Sequence, residues 1–444
     1  MATEIAFPRS QENYLPPGWR LGRLSDVAIL NPEQTTVANH FERIEYVDIS
    51  CVSQGQIGKP LNIPLSEAPS RARRLVREGD TILSTVRPGN RAYAFIRSPP
   101  RNLVCSTGFV VLRARPGLAD PMFIYFLASS KQVIQHLAVR SEKQTAYPSV
   151  TAKDVGESPV LIPPVHEQRA IARVLGSLDD KIELNRRMNQ TLEEICRALF
   201  KFWFVDFGPV HAKKEGRWKK GESLPGMPAD MWDLWPSEFE ESEIGEIPKG
   251  WKVGPISSVV EVNPERCLAK GEVAPYVEMG QLPTSSARVA GWVDRAFASG
   301  SRFRNGDVLV ARITPCLENG KTAYVDFLDG SKIGWGSTEF LILSARAPLA
   351  PQWAYCLART EDFRMHLIQN MTGTSGRQRA PAACLDSFVV AIPTGKIASR
   401  FGQFVTPWFE RLKANDDESS THAAVRDAFL PKLLSGEIRV KVDS

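Results

Sequence analysis

Four segments of this chain carry the residue types that recognise nucleic acid. Arg87-Pro88-Gly89-Asn90-Arg91 is one, and Arg140 to Gln144, with Lys143 and Gln144, is another. Arg312 to Lys321, which includes Asn319, and Thr372-Gly373-Thr374-Ser375-Gly376-Arg377-Gln378-Arg379 are the other two. Arg, Lys, Ser and Thr donors meet phosphate oxygens and position a protein on a duplex. Arg pairs bidentately with guanine, and Asn or Gln with adenine, which is how sequence is read. The candidate DNA-contacting residues are therefore Arg87, Asn90, Arg91, Lys143, Gln144, Arg312, Asn319, Lys321, Arg377, Gln378 and Arg379. Arg71, Arg73, Arg74, Arg77, Arg302 and Arg304 add to the basic surface. An Arg- and Gly-rich loop is also what an ordinary solvated surface looks like, so residue types alone do not decide.

Catalytic patterns are missing where they would be expected. Gly320-Lys321-Thr322 supplies the end of a phosphate-binding loop, but Pro315 stands where its first glycine belongs. Asn31-Pro32-Glu33 and Asn263-Pro264-Glu265 lack the second proline and the aromatic of an adenine methyltransferase motif, and their place in an opening turn suits a structural role. There is no GxSxG elbow. The six histidines are dispersed without ligand spacing, so no metal site is expected. These features describe a binder without catalytic residues of its own.

The elements that must position the loops come from a long-range repeat. Leu15-Pro16-Pro17-Gly18-Trp19-Arg20 returns as Ile247-Pro248-Lys249-Gly250-Trp251-Lys252, and Asn31-Pro32 as Asn263-Pro264. Gly79-Asp80-Thr81-Ile82-Leu83 matches Gly306-Asp307-Val308-Leu309-Val310, and Ser106-Thr107-Gly108-Phe109 matches Ser337-Thr338-Glu339-Phe340. Val160-Leu161-Ile162-Pro163 matches Val390-Ala391-Ile392-Pro393. The offset stays near ~230 residues, far longer than a solenoid period, so one domain is duplicated. Residues 44–49, 81–86, 92–96 and 104–112 read as strands, and 121–137 and its counterpart 351–368 as helices. Each copy is expected to be a mixed α/β domain. The frame matches between copies whereas the basic loops do not, which suits two modules reading two different sequences.

Residues 165–207 read differently. Ile171, Val174/Leu175, Leu178, Ile182, Met188, Leu192, Ile195, Leu199 and Phe202/Trp203 alternate steps of three and four, a heptad seam with Asn185 at one position. The second copy repeats it through Phe401, Val405, Trp408, Leu412, Asn415, Val425, Phe429 and Leu433. Its polar stretch 414–421 and its two prolines, Pro407 and Pro431, predict a broken helix. A lone amphipathic helix cannot bury its seam, so the two are expected to pair antiparallel. The full expectation is a first domain over 1–164, a first helix over 165–207, a connector with little core over 208–246, a second domain over 247–394 and a second helix over 395–438. That is an α/β (α+β) protein in which two duplicated domains are separated by long antiparallel coiled-coil helices, with approximate two-fold symmetry. The aromatic run Phe200 to Phe207 either caps the coiled coil or docks another chain.

Composition sets the outer bounds. The 444 residues allow two or three domains, and a net charge of +5 permits an acidic partner. Seven cysteines without a CxxC pair read as reduced thiols of a cytoplasmic protein. No signal peptide and no membrane-length apolar stretch is visible.

Taken together, the doubled Pro-x-Gly-Trp opening, the doubled Gly-Asp block, Ile162-Pro163-Pro164 with Glu167-Gln168, residues 185–207, and Phe429-Leu430-Pro431-Lys432-Leu433-Leu434-Ser435-Gly436-Glu437-Ile438 resemble one family. It is the specificity subunits of type I restriction–modification enzymes, and the resemblance runs over about residues 14–440. It implies two target-recognition domains, each reading half of a bipartite site in double-stranded DNA, with the helices setting the gap. It also implies docking of two methyltransferase subunits and recruitment of restriction/translocase subunits. Leu192, Leu199, Phe202, Trp203, Phe204, Phe429 and Leu433 are the candidate partner-binding residues. S-adenosylmethionine, Mg and ATP would belong to those partners, and this chain would hold no cofactor. One departure is Lys396-Ile397, where the first copy has His166-Glu167-Gln168. A two-headed protein-binding adaptor and an orphan methyltransferase regulator without DNA targeting remain as other readings.

Overall fold

The computed structural model describes residues 15–35, 41–142, 148–374 and 376–440. The chain is mixed α/β, with two sheet-rich units and two long helices, Val165–Phe204 and Gly395–Ser435. One unit comprises residues 1–182 and 420–444, and the other residues 183–419.

In the first unit one four-stranded sheet runs Ala28–Leu30, Phe109–Ala114, Thr81–Ser84, Tyr93–Phe95. Another runs Leu61–Pro64, Arg43–Val47, Leu103–Ser106, Ala72–Leu75, with one parallel pair between Leu103–Ser106 and Arg43–Val47. The second unit repeats this frame. Val260–Val262, Phe340–Ala345, Val308–Ala311 and Thr322–Tyr324 form its first sheet, and Val293–Ala296, Val273–Val277, Gly334–Gly336 and Ser301–Phe303 its second, again with one parallel pair. The run 104–112 is therefore two strands in two sheets, parting at Thr107-Gly108. A side chain at Gly108 would meet Ile49 at 2.3 Å. The helix expected at 121–137 is likewise two, Pro121–Ser129 and Lys131–Ser141, because the Ser130 hydroxyl caps the second by accepting from Val133 N. Thr360 does the same between Pro351–Ala358 and Glu361–Gln369.

The repeated motifs are the joints of this frame. Gly18 and Gly250 take φ of 84° and 85° in matching turns closed by Trp19 N to Pro16 O and Trp251 N to Pro248 O, both 3.0 Å. Only glycine enters that conformation without penalty. Asn31 and Asn263 are left-handed, and each side-chain oxygen accepts from a strand amide, Val111 N at 3.0 Å and Ile342 N at 2.9 Å. Asp80 and Asp307 are fully buried and accept from the amides of Arg77 and Arg304, both at 2.8 Å. Their cationic partners come from different places: Arg113 at 2.7 Å and Arg266 at 2.7 Å. The Asp80 hydrogen bond, ahead of burial, holds Arg113 more firmly protonated, whereas burial pushes the Asp307 carboxyl up despite Arg266.

The buried edge of the first long helix steps through 171, 175, 178, 182, 185, 189, 192, 196 and 203. Cys196, not Ile195, takes the seam; Ile195 is 47% exposed. In the second unit, ring contacts join Phe200 and Trp203 to Phe401, and Asn189 reaches Asp416 at 2.7 Å and Asn185 reaches Ser419 at 3.3 Å. Residue number rises on one helix as it falls on the other, so the pair is antiparallel. The first unit shows the same sense, with Asp179 bonded to Arg426 at 2.6 Å and Glu167 to Arg439 at 2.5 Å.

The expected break in the second helix does not occur. Gly395–Ser435 is continuous through Pro407 and Pro431. Phe401, Val405, Phe409 and Leu412 are buried on both sides of Pro407, and that packing offsets the lost backbone bond. The polar centre is matched by polar partners. Asn415 donates to Asn189 at 2.8 Å, its carbonyl accepts from Asn185 at 3.2 Å, and Arg288 pairs with Asp416 at 2.8 Å. Beyond it the seam follows Arg426, Leu430 and Leu433, leaving Val425 and Phe429 exposed.

The connector also differs from expectation. Val210, Trp218, Met227, Met231 and Trp235 are buried in the core of the second unit. Lys213 donates to the Trp232 and Trp235 carbonyls at 2.6 Å and lies 4.1 Å over the Trp232 ring. Several tryptophans give so polar a segment enough apolar area to fold down. Among the described residues no helix is long and apolar enough to cross a membrane.

Candidate nucleic-acid interface

The first unit's basic loop leaves the end of strand Thr81–Ser84. Thr85 donates twice to the Gly108 carbonyl, from N at 2.8 Å and Oγ1 at 2.9 Å, and its own carbonyl accepts from Val150 N at 2.8 Å. Arg87 N donates to Pro148 O at 2.9 Å. The tip is a single turn, Pro88–Asn90, anchored by buried Pro88 and flanked by Arg87 and Arg91 at φ 45° and 57°. Positive φ costs energy at a non-glycine residue and gathers at functional sites. Arg87, Asn90 and Arg91 are exposed, and Arg91 lies 6.0 Å over the Tyr93 ring. These three candidates are together. Lys143 and Gln144 lie outside the described residues.

The second unit uses the same stem with different side chains. Arg312 N donates to the Glu339 carbonyl at 3.0 Å and Ala380 N to the Arg312 carbonyl at 2.8 Å, copying the Thr85 pattern. Thr314 and Gln378 then bond reciprocally, N to O at 3.1 Å and Gln378 N to Thr314 Oγ1 at 3.1 Å. This brings the segments holding Arg312 and Arg377–Arg379 side by side. Glu339 stands where the first unit has Gly108. Its carboxylate accepts from Arg312 Nε at 3.3 Å and Arg379 Nε at 2.8 Å. Arg377 and Asn319 are exposed and Gln378 is half-buried. Lys321 is the exception, because its ammonium donates to the Met279 carbonyl at 3.0 Å and is committed within the unit.

Two residues behind this surface, Arg359 and Glu339, are not among the sequence candidates. Arg359 donates to the carbonyls of Thr284, Gly320, Ser286 and Thr322 within 3.0 Å, so one guanidinium fixes two neighbouring loops. It also bonds Tyr355 at 3.0 Å, and Tyr355 donates to buried Glu193 of the long helix at 2.6 Å. Burial pushes the Glu193 carboxyl up. Carbonyl acceptors leave no trace in sequence, so Arg359 had no signal. Glu339 did: it is the one changed residue in the Ser-Thr-x-Phe block.

The partner-binding candidates fare differently. Leu199, Trp203 and Phe204 are buried in the core of the second unit, and Leu433 in that of the first. They are corrected to core residues. Trp203 and Phe204 stack edge-on to Phe401 at 5.7 and 5.0 Å, so the aromatic run caps its own unit. Phe202 packs on Gly208, and Leu192 is half-buried against the same core. Phe429 is 43% exposed.

The two units are copies of one frame that end in unlike polar surfaces. Residues 16–194 match the type I restriction modification DNA specificity domain. The chain is 24% identical to the HindI specificity subunit of Haemophilus influenzae, over 95% of this chain and 99% of that one. It is 26% identical to the MjaIX specificity subunit of Methanocaldococcus jannaschii, over 81% and 78%. A crystal structure of a type I system S subunit from M. genitalium aligns over 95% of this chain and 97% of that one, at 13% identity and a TM-score of 0.49. Over most of its length the chain is thus similar to type I restriction enzyme specificity subunits.

Proposed function

We propose that this chain is the DNA sequence-specificity subunit of a type I restriction–modification complex, acting in the cytoplasm on double-stranded DNA. Each unit reads one half of a bipartite target. The long helices, 40 and 41 residues, separate the halves and carry two methyltransferase subunits, with the restriction/translocase subunits recruited to that assembly. The chain itself performs no chemistry. S-adenosylmethionine, Mg and ATP act on the partner subunits.

One observation carries this reading. The stems of the reading loops are held by the same backbone bonds in both units, while the side chains they present differ: Arg87, Asn90 and Arg91 in one, Arg312, Arg377, Gln378 and Arg379 in the other. A shared frame with unlike donor sets is what two different half-sites require. The test is the salt dependence of duplex DNA binding by the chain in complex with its methyltransferase subunit. Several phosphate contacts predict a steep fall in affinity, on the order of a hundredfold or more from 50 to 200 mM salt. Salt-independent association with protein alone would favour the adaptor reading.

A further inference from the structure

We propose that Glu339 is a positioning residue that fixes Arg312 as a guanine reader in the second unit, with Arg379 as its brace. This rests on the reading of the chain as a DNA specificity subunit and adds which residue sets one of the bases.

The geometry is specific to this unit. A single carboxylate accepts from the Nε of two arginines that come from different segments, Arg312 at 3.3 Å and Arg379 at 2.8 Å. Glu339 is four-fifths buried at its side chain, whereas Arg379 remains 42% exposed. Arg379 is held a second time, Nη1 to the Arg377 carbonyl at 3.3 Å. The Arg312 backbone is pinned on both sides, by Glu339 O and Ala380 N. Arg312 is thus fixed at its backbone and at Nε, and among the described residues no bond is recorded to its Nη1 or Nη2. Those two amines are the pair that meets guanine O6 and N7. A guanidinium held at Nε has lost most of its rotamer freedom before DNA arrives, so less entropy is lost on binding.

The first unit does not use this device, because Gly108 occupies the equivalent place and carries no side chain. Its arginines are set by backbone instead, through the left-handed Arg87 and Arg91. The two units therefore fix their readers by different means, and a change at 339 should alter only one half of the target.

The full-length chain, co-produced with its cognate methyltransferase subunit, is tested by sequencing N6-methyladenine across the host genome. The wild-type chain should direct a split motif with a guanine in one half. Glu339→Ala should relax discrimination at that guanine about tenfold or more, the loss of one well-made bidentate contact, and leave the other half unchanged. Arg312→Met should relax the same position, and Glu339→Asp should recover part of it. Glu339→Gln, which keeps the volume, replaces the alanine variant should that one not fold. An unchanged motif in the Glu339 variants overturns the proposal, as does relaxation of a different position by Arg312→Met. A uniform fall in methylation without altered base preference also overturns it, since a merely structural residue would give that. A wild-type chain that directs no split motif instead defeats the underlying reading.

Discussion

Glu167 is the clearest place to test the physical account of the frame. It lies in the first turn of the first long helix with its side chain only 8% exposed. Its Oε2 accepts the Trp19 indole N–H at 3.0 Å, and its Oε1 pairs with Arg439 at 2.5 Å. It thereby joins the opening turn, the helix start and the end of the chain in one unit. In the second copy Ile397 takes the place, fully buried, and among the described residues the Trp251 indole has no hydrogen-bond partner. Glu167→Ala should leave a buried N–H unsatisfied, at about 1–3 kcal/mol, and open a cavity costing about 1 kcal/mol more. The total is about 2–4 kcal/mol. Glu167→Ile, which copies the second repeat, fills the space and should cost about 1–3 kcal/mol, the orphaned donor without the cavity. Glu167→Gln keeps an acceptor for Trp19 and loses only a pairing with a 46% exposed Arg439, worth about 0–1 kcal/mol. The order of loss is Ala, then Ile, then Gln. Because the chain has two units, a single global midpoint is ambiguous. Hydrogen exchange of strand Pro159–Ile162, which pairs with Arg20–Arg23 beside Trp19, reports the first unit alone. If Gln proved as damaging as Ala, charge rather than the indole acceptor would be responsible and the reasoning would be wrong.

Other outcomes follow from the same structure. Arg426→Met should destabilise the first unit by about 3 kcal/mol or more at pH 7, because Asp179 stays buried without its partner. Burial already holds the Asp179 carboxyl above its ordinary value, and removing Arg426 raises it further. A raised carboxyl favours the folded state below the unfolded pKa and loses that as pH rises, so the deficit should shrink near pH 4. A pH series of urea melts followed by a spectroscopic probe placed in the first unit, with a deficit independent of pH as the contrary result, decides this. Replacing Asn185 and Asn415 together by Leu should slow amide exchange in the helix around them, since among the described residues both side-chain oxygens are buried without a partner; faster exchange would show the polar layer to be net stabilising. Arg359→Met frees four loop carbonyls. Faster amide exchange at Gly320–Thr322 and weaker recognition of one half-site are expected, and unchanged exchange there would count against the clamp.

Much of the frame was legible because each joint needs a particular residue. Pro-x-Gly-Trp requires a positive φ, Gly-Asp a buried carboxylate over a turn, and Asn-Pro a left-handed asparagine bonded to a strand. The seam was legible as a period but not in fine register. Ile195 and Cys196 both fit a three-four step, and only the packing against Cys356, 3.3 Å away, selects the cysteine. The second helix was misread because two prolines and a polar centre are locally unfavourable, and the compensating partners Asn185, Asn189 and Arg288 are distant in sequence. The connector was misread for the reverse reason: its lysines and glycines masked tryptophans that reach a core assembled elsewhere. Of the reading surface, the exposed arginines could be picked out by type. The internal commitment of Lys321 and the joint role of Glu339 depend on partners between 27 and 42 residues away.

The central claim is that two different readers share one chain. Sequencing of N6-methyladenine in cells that carry this chain with its methyltransferase subunit, and no other adenine methyltransferase, tests it most directly. The account predicts one motif of two unlike halves separated by a fixed run of unspecified bases. A single continuous motif, or two identical halves, would contradict it.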